Sequence, residues 1–375
     1  MPDFKHYTDF LDICKQTDNL RTLKVFETNN YVNFSTNDYL GIARNREMKQ
    51  EFSSLYKDLA LSASSSRLIT GNSALYQEVE KLVATFYNKE ACLLYNSGYH
   101  VNIGILPSLA TPTDLIISDK NVHASIIDGI RLSRCDFERY NHLDYTHLDL
   151  LLAKKRKQYR NVFIVSESIF SMDGDCADLH KLVELKNKYD AMLYIDEAHA
   201  LGVRGSNGIG LCEEMGLIDE IDFIIGTCGK ALGSQGGFVV CTQMFKEYLI
   251  NTSRSLIYTT ALPPYTIAWL HFILGKLQVL QPLRKKIYSL RQTWTRLFQT
   301  PTDSHIIPMI IGENTATIEL ANYLTNNGFL VFPIRYPTVA KGKARLRFSV
   351  SSDINFHDIE KLFEILQKKD TYKRI

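Results

Sequence analysis

The chain has 375 residues, 45% hydrophobic and 22% charged, with a formal net charge of +2. That length exceeds one ordinary core and suggests two domains, and the near balance of charge removes any electrostatic case for nucleic acid or an anionic membrane. Seven scattered cysteines, odd in number and without a CxxC pair, fit reduced thiols in a cytosolic protein rather than a disulfide framework or a zinc site.

The opening MPDFKHYTDF has Asp3 and Asp9 and no apolar core, so neither a signal nor a transit peptide is expected. No apolar run is long enough to span a bilayer. Residues 1 to about 30 read as a polar helix and loop. Tyr31 to Ser35 reads as a short strand, and TNDYLG (Thr36 to Gly41) as a turn. Ser62 to Ser66 is a loop of small residues before Arg67. Leu75, Val79, Leu82, Val83 and Phe86 recur at helical spacing.

A strand–helix alternation follows. Ala91 to Tyr95 is a predicted strand that ends in Asn96-Ser97-Gly98-Tyr99 and enters a helix. Such a junction is a candidate anion site, because free N–H groups point outward at a helix start. An ordinary serine cap is the alternative. Asp114 to Ser118, Phe137 to Tyr140 and Val162 to Val165 are further predicted strands, with His123 and Glu167 just beyond two of them. Ser171 to Gly174 is a turn. Apolar runs then end at Asp196 and at Gly226-Thr227, with His199 and Lys230 three residues further on in each case. The pattern predicts an α/β fold with a mostly parallel sheet, whose ligands sit beyond the carboxyl ends of the strands. Gly205 to Gly210 lacks the context of a dinucleotide fingerprint.

Pro263-Pro264 opens a long helical region to about Gln299, expected to bend or break at Pro282. Ile306 to Ile311, Leu330 to Pro333 and Ala344 to Ser349 then read as three strands of a smaller α+β domain. The expected division is an arm over 1–40, a large domain over 41–265 and a C-terminal domain over 266–375.

Lys230 stands among Gly229, Ala231 and Gly233, which is unusual for a lysine. Small neighbours make room for a planar ring bonded to the amine. The reading is that Lys230 carries pyridoxal phosphate (PLP) as a Schiff base, and that Asp196 holds the ring nitrogen protonated. A surface lysine in a glycine-rich turn is the alternative, as is an aspartate that caps a following helix. His199 could bond the ring hydroxyl and His123 could stack on the ring. Arg345 and Arg347 share one strand face by alternation and could grip a carboxylate; solvated edge arginines are the alternative.

TNDYLG, NSGYHVN, HASIIDG, ESIFSMDGD, YIDEAHALG, GTCGKALG, TTALPP and RYPTVAKGKARLR stand in this order. Together they closely resemble the α-oxoamine synthases, fold-type-I PLP enzymes, over about residues 20 to 370. The resemblance implies a decarboxylative condensation of an amino acid with an acyl thioester. Alanine with a pimeloyl thioester on CoA or acyl carrier protein is the first expectation. Glycine with acetyl-CoA, and serine with a long acyl-CoA, are the alternatives.

By the same resemblance Lys230, Asp196 and His123 are catalytic. Ser97, Gly98, Tyr99, Glu167, Ser171, His199 and Thr227 surround the cofactor, and no metal is involved. Thr259 or Thr260 would reach the phosphate of a neighbouring subunit, since family sites lie at a homodimer interface. Arg347 and Asn37 would bind the amino-acid carboxylate, and Arg21 and Thr338 the acyl substrate. A non-catalytic partner subunit would be expected to lack Lys230. Three departures from the family pattern are Ser62-Ala63-Ser64-Ser65-Ser66 for a glycine-rich loop, Cys228 for phenylalanine, and Tyr336 and Ala340 for prolines.

Overall fold

The structure, a computed structural model, describes residues 2–369. It divides into two compact units. One comprises Asn37–Ser171 and Asp175–Lys286; the other comprises Met1–Thr36, Met172–Gly174 and Ile287–Ile375.

The larger unit is built on a seven-stranded sheet. Its spatial order is Ala91–Tyr95, Gly237–Cys241, Phe223–Thr227, Met192–Asp196, Val162–Glu167, Leu115–Asp119 and Asp136–Tyr140. Only Gly237–Cys241 runs against its neighbours; the other pairings are parallel. Ala91–Tyr95, Gly237–Cys241, Val162–Glu167 and Leu115–Asp119 are buried along their whole length, as expected of a sheet covered on both faces. Because six strands point the same way, Tyr95, Asp119, Glu167, Asp196 and Thr227 finish at one edge. Helices start there at Gly98 and Ala124.

The smaller unit has a three-stranded antiparallel sheet in the order Pro333–Ile334, Ala344–Ser349, Ile306–Gly312. Its core contains Phe34, Leu290, Trp294, Phe298, Leu346, Phe348 and Leu362. Trp294 and Phe298 stack with ring centroids 4.1 Å apart. Full burial of side chains of this size contributes roughly 1.5–3 kcal/mol each.

Several sequence expectations shift. The leading segment groups with the C-terminal part, because Val32–Asn33 pairs in parallel with Phe329–Leu330 and the Phe34 carbonyl accepts from Ser349 N–H at 2.7 Å. The strand expected over 31–35 therefore shrinks to two residues. The one expected over 330–333 splits between two sheets. The second boundary falls inside helix Gln281–Phe298, not at 265/266. The long helical region breaks after Leu274, and Pro282 lies in the first turn of the next helix. A first-turn proline lacks only an N–H that has no intrahelical partner anyway, so it starts this helix instead of bending one.

Candidate active site

Glu167 and Asp196 are paired residues on adjacent parallel strands, so two carboxylates lie side by side at the sheet edge. Their partners separate their roles. Asp196 is 5% exposed. Its Oδ2 accepts from Asn102 Nδ2 at 3.0 Å and its Oδ1 from Ala198 N–H at 2.9 Å. Asn102 is held in turn: Tyr194 Oη donates to its Oδ1 at 2.5 Å, and its Nδ2 also donates to Ser125 Oγ at 2.9 Å. Both Asp196 oxygens are thus held by neutral donors, in a place where a carboxylate favours a cationic partner. No helix follows Asp196, since residues 198–203 form turns, so the helix-cap alternative falls away.

Glu167 is turned to a different task. Its Oε1 accepts from the backbone N–H of His123 at 2.6 Å. Burial, and then the adjacent Asp196 charge, push its carboxyl well above the usual range. His123 caps helix Ala124–Ser133: its Nδ1 lies 2.8 Å from Ser125 Oγ and accepts from Ser125 N–H at 3.2 Å. Burial lowers the His123 pKa; Asp196 pulls it up and Lys230 pushes it down further. The ring is therefore fixed in orientation and neutral near pH 7.

Lys230 sits in the turn after Phe223–Thr227, closed by Gly233 N–H to the Lys230 carbonyl at 2.9 Å and Ser234 N–H to the Cys228 carbonyl at 3.0 Å. Its Nζ lies 2.8 Å from His199 Nε2. The small residues have a second cause besides room for a ring. A Cβ on Gly233, which has φ +53°, would stand 2.9 Å from Ala43 N, and one on Gly202 would stand 2.5 Å from Ala231 Cβ. Ile42-Ala43, just after the TNDYLG turn, and the 202 turn press directly on the lysine loop. Cys228, in place of the usual phenylalanine, is fully buried behind it.

Ser97 caps helix Gly98–Leu109, accepting from His100 N–H at 3.2 Å. The start of this helix abuts Thr227, since a Cβ on Gly98 would lie 3.2 Å from the Thr227 side chain. The first amide groups of the helix and the Thr227 hydroxyl thus border one place suited to an anion. Tyr99 is half exposed, and its hydroxyl is bound by Asp128. Asn96 Nδ2 donates to Thr259 Oγ1 at 3.1 Å and to the Thr260 carbonyl at 2.7 Å, which ties both threonines to the same junction. Asn37 Oδ1 accepts from Tyr39 Oη at 3.1 Å. Ser171 opens the turn after the Ile169–Cys176 bridge.

In the smaller unit, Ala344–Ser349 is the central strand, so its arginines are not solvated edge residues. Arg345 is 5% and Arg347 9% exposed. Arg345 is engaged by Asp173, whereas Arg347 Nη1 donates to Ser349 Oγ at 2.7 Å. The two neighbours on one face thus do different work. Arg21 Nη2 donates to Thr338 Oγ1 at 3.2 Å, which brings the two residues expected to meet an acyl chain into direct contact.

Four polar residues escaped the sequence reading: Asn102, Asn96, Tyr39 and Glu197. Glu197, fully buried, accepts from the N–H groups of Leu211 at 2.7 Å and Cys212 at 3.3 Å. Asn96 and Asn102 stand in the quoted NSGYHVN motif and Tyr39 in TNDYLG, so the signal was present but no role was read from it.

The arrangement fits PLP. A lysine amine stands in the strand-end loop that follows Thr227. A buried carboxylate held by neutral donors suits a ring N–H. A helix start against Thr227 suits a phosphate.

Residues 29–366 match the family described as aminotransferase class I and II. The 8-amino-7-oxononanoate synthase of Haemophilus ducreyi is 47% identical over 350 residues, covering 89% of this chain and 90% of its own. The crystal structure of 8-amino-7-oxononanoate synthase from Francisella tularensis superposes with a TM-score of 0.77 at 29% identity, covering 92% of this chain and 100% of that one. A serine palmitoyltransferase from S. paucimobilis, solved with a bound PLP–myriocin aldimine, reaches a TM-score of 0.88 at 25% identity, covering 97% and 96%. Among the described residues no helix is long and apolar enough to cross a membrane.

Proposed function

The chain belongs to the class I and II aminotransferase family and, within it, to the PLP-dependent α-oxoamine synthases, and from that premise we propose that it condenses L-alanine with a pimeloyl thioester. The products are 8-amino-7-oxononanoate, CO2 and the free thiol, as a step of biotin biosynthesis. The observation that carries this reading is the 47% identity to an 8-amino-7-oxononanoate synthase over nearly the whole chain. It is supported by the Asp196, His123, His199 and Lys230 cluster at the sheet edge.

PLP, when bound, supplies an aldehyde for the substrate amine and a ring that draws electrons from the α-carbon. Asp196 keeps a fixed negative charge for the ring N–H, and Asn102 and the Ala198 amide hold that charge in place. Lys230 Nζ moves the α-proton of the amino acid. His123, anchored by Glu167 and Ser125, covers the ring face in its neutral form. The Ser97-Gly98-Tyr99 helix start and Thr227 take the phosphate. Arg347 and Asn37 bind the substrate carboxylate, and Arg21 and Thr338 the acyl chain. In the net reaction a bond forms between the alanine α-carbon and the acyl carbon. The acyl C–S bond and the alanine α-carbon–carboxyl bond break, and the thiol leaves protonated.

The working form is a cytoplasmic homodimer in which Thr259 or Thr260 reaches the phosphate bound by the other subunit. Assay of an amino-acid panel against an acyl-thioester panel tests the substrates. Turnover is expected with alanine and pimeloyl-CoA or pimeloyl-acyl carrier protein. Turnover with glycine and acetyl-CoA, or serine and palmitoyl-CoA, and none with alanine would overturn the assignment.

A further inference from the structure

One polar chain in the larger unit joins Lys230 to Tyr39, a residue given no role above. Asn37 Oδ1, Tyr39 Oη, His199 Nδ1, His199 Nε2 and Lys230 Nζ follow one another, with contacts of 3.1, 2.7 and 2.8 Å. Tyr39 is fully buried and His199 is 4% exposed. Their rings pack at a centroid distance of 6.1 Å. The turn bearing Tyr39 is itself pinned, because Asp38 accepts from Ile42 N–H and Ala43 N–H, both at 3.0 Å. The same Ala43 backs onto Gly233 of the lysine loop.

We propose that Tyr39 is a positioning residue for Lys230, acting through His199. The phenol holds one proton, and the two ring nitrogens of His199 face different groups, Nδ1 the phenol and Nε2 Lys230. If the phenol donates to Nδ1, the ring must carry its proton on Nε2 and present it toward Lys230. If Nδ1–H donates to the phenol, Nε2 offers Lys230 a lone pair and the phenol proton passes to Asn37. A proton shifted at Lys230 is thus coupled to one shifted at Tyr39, over two hydrogen bonds. The titratable groups nearest the same site are Asp196, bonded by Asn102 and Ala198 N–H, Glu167, bonded by His123 N–H, and His123, bonded to Ser125. The hydroxyl of Tyr39 is therefore the contact to remove.

The proposal rests on the PLP reading of Lys230, and Tyr39→Phe tests it with the ring kept and only the oxygen lost. In the PLP-loaded protein, the absorbance of the lysine-bound cofactor is titrated against pH for wild type, Tyr39→Phe and His199→Gln. Both variants are expected to shift the midpoint by about 0.5–1 pH unit, with thermal melts close to wild type. In the full chain without PLP, 15N NMR of the His199 ring, assigned by its loss in His199→Gln, is expected to show a changed tautomer balance in Tyr39→Phe. An unchanged ring spectrum overturns the proposal without reference to the cofactor. So does a Tyr39→Phe midpoint equal to wild type while His199→Gln shifts it. A wild-type protein that forms no lysine-bound band, with an NMR response as expected, would place the failure in the PLP reading instead.

Discussion

The sheet edge of the larger unit and the Arg21–Thr338 region of the smaller one are built by opposite means. At the sheet edge, each side chain follows a buried strand and is held by groups that are buried themselves. Asp196 rests on Asn102, Asn102 on Tyr194, and His123 on Glu167. In the smaller unit, exposed and half-buried side chains hold the leading segment. Arg21 bonds Thr338, Thr315 bonds Asp18, and Asn314 bonds Asn19. Buried hydrogen bonds fix one geometry because leaving a partner unsatisfied costs about 1–3 kcal/mol, whereas exposed ones exchange with water at little net cost. The first arrangement suits chemistry that must not vary. The second suits the acyl-substrate contact proposed for Arg21 and Thr338.

The sharpest way to break this contrast is Lys230→Ala. Loss of turnover by about 10³-fold or more is expected, together with loss of the lysine-bound cofactor band; absorbance and steady-state assays check both. Asp196→Asn follows, with an expected fall in kcat of about 10²–10³-fold, because a neutral amide no longer holds the ring N–H charged. If Asp196→Asn kept near-full kcat, the buried edge would not be doing chemistry. Arg21→Ala is expected to act differently, raising KM for the acyl thioester by about 10-fold with kcat within twofold. A fall in kcat without a change in KM would erase the distinction between the two regions.

The smallest effect concerns stability in the larger unit. His142 bridges Asp119 and Asp175 at 2.8 Å to each. Burial alone would lower its pKa, but the hydrogen bonds and charges of the two aspartates outweigh burial and raise it to about 10. A folded pKa above the unfolded value of about 6.5 means that the stabilisation is full below pH 6.5 and is lost as pH rises through about 10. Thermal melts between pH 6 and 10 should therefore fall more steeply for wild type than for His142→Gln. The variant should lose about 2–3 kcal/mol near pH 7. Parallel melting curves would show that the bridge contributes nothing.

Much of the sheet edge was legible because its signals are local. An apolar run that ends at Asp196 reports both the strand and the residue that leaves it. His123, His199 and Lys230 were found by the same rule. Tyr39 was not, because its partner His199 stands 160 positions further along the chain, and TNDYLG by itself is an adequate turn. Asn102 looked like a helix residue for the same reason, with Asp196 94 positions away. The expected second boundary at 265/266 and the division after Lys286 differ because a helix, Gln281–Phe298, continues through the latter. Pro282 was read as a bend or break because a proline inside a helical pattern usually interrupts it, whereas here it stands in the first turn of a helix.

The order of apolar runs and the residues that end them determined the parallel sheet, the edge where a ligand sits and the identity of the amine and acid placed there. That information is carried by neighbours in the chain, through strand propensity and the period of the pleat. Only the tertiary structure decided how those residues are held. It turned Glu167 toward His123 instead of outward, kept Asp196 among neutral donors, separated Arg345 from Arg347 by partner, and placed Tyr39 behind His199. Most of these rest on hydrogen bonds between distant positions, whose distance and direction exist only once the backbone has brought the two groups together.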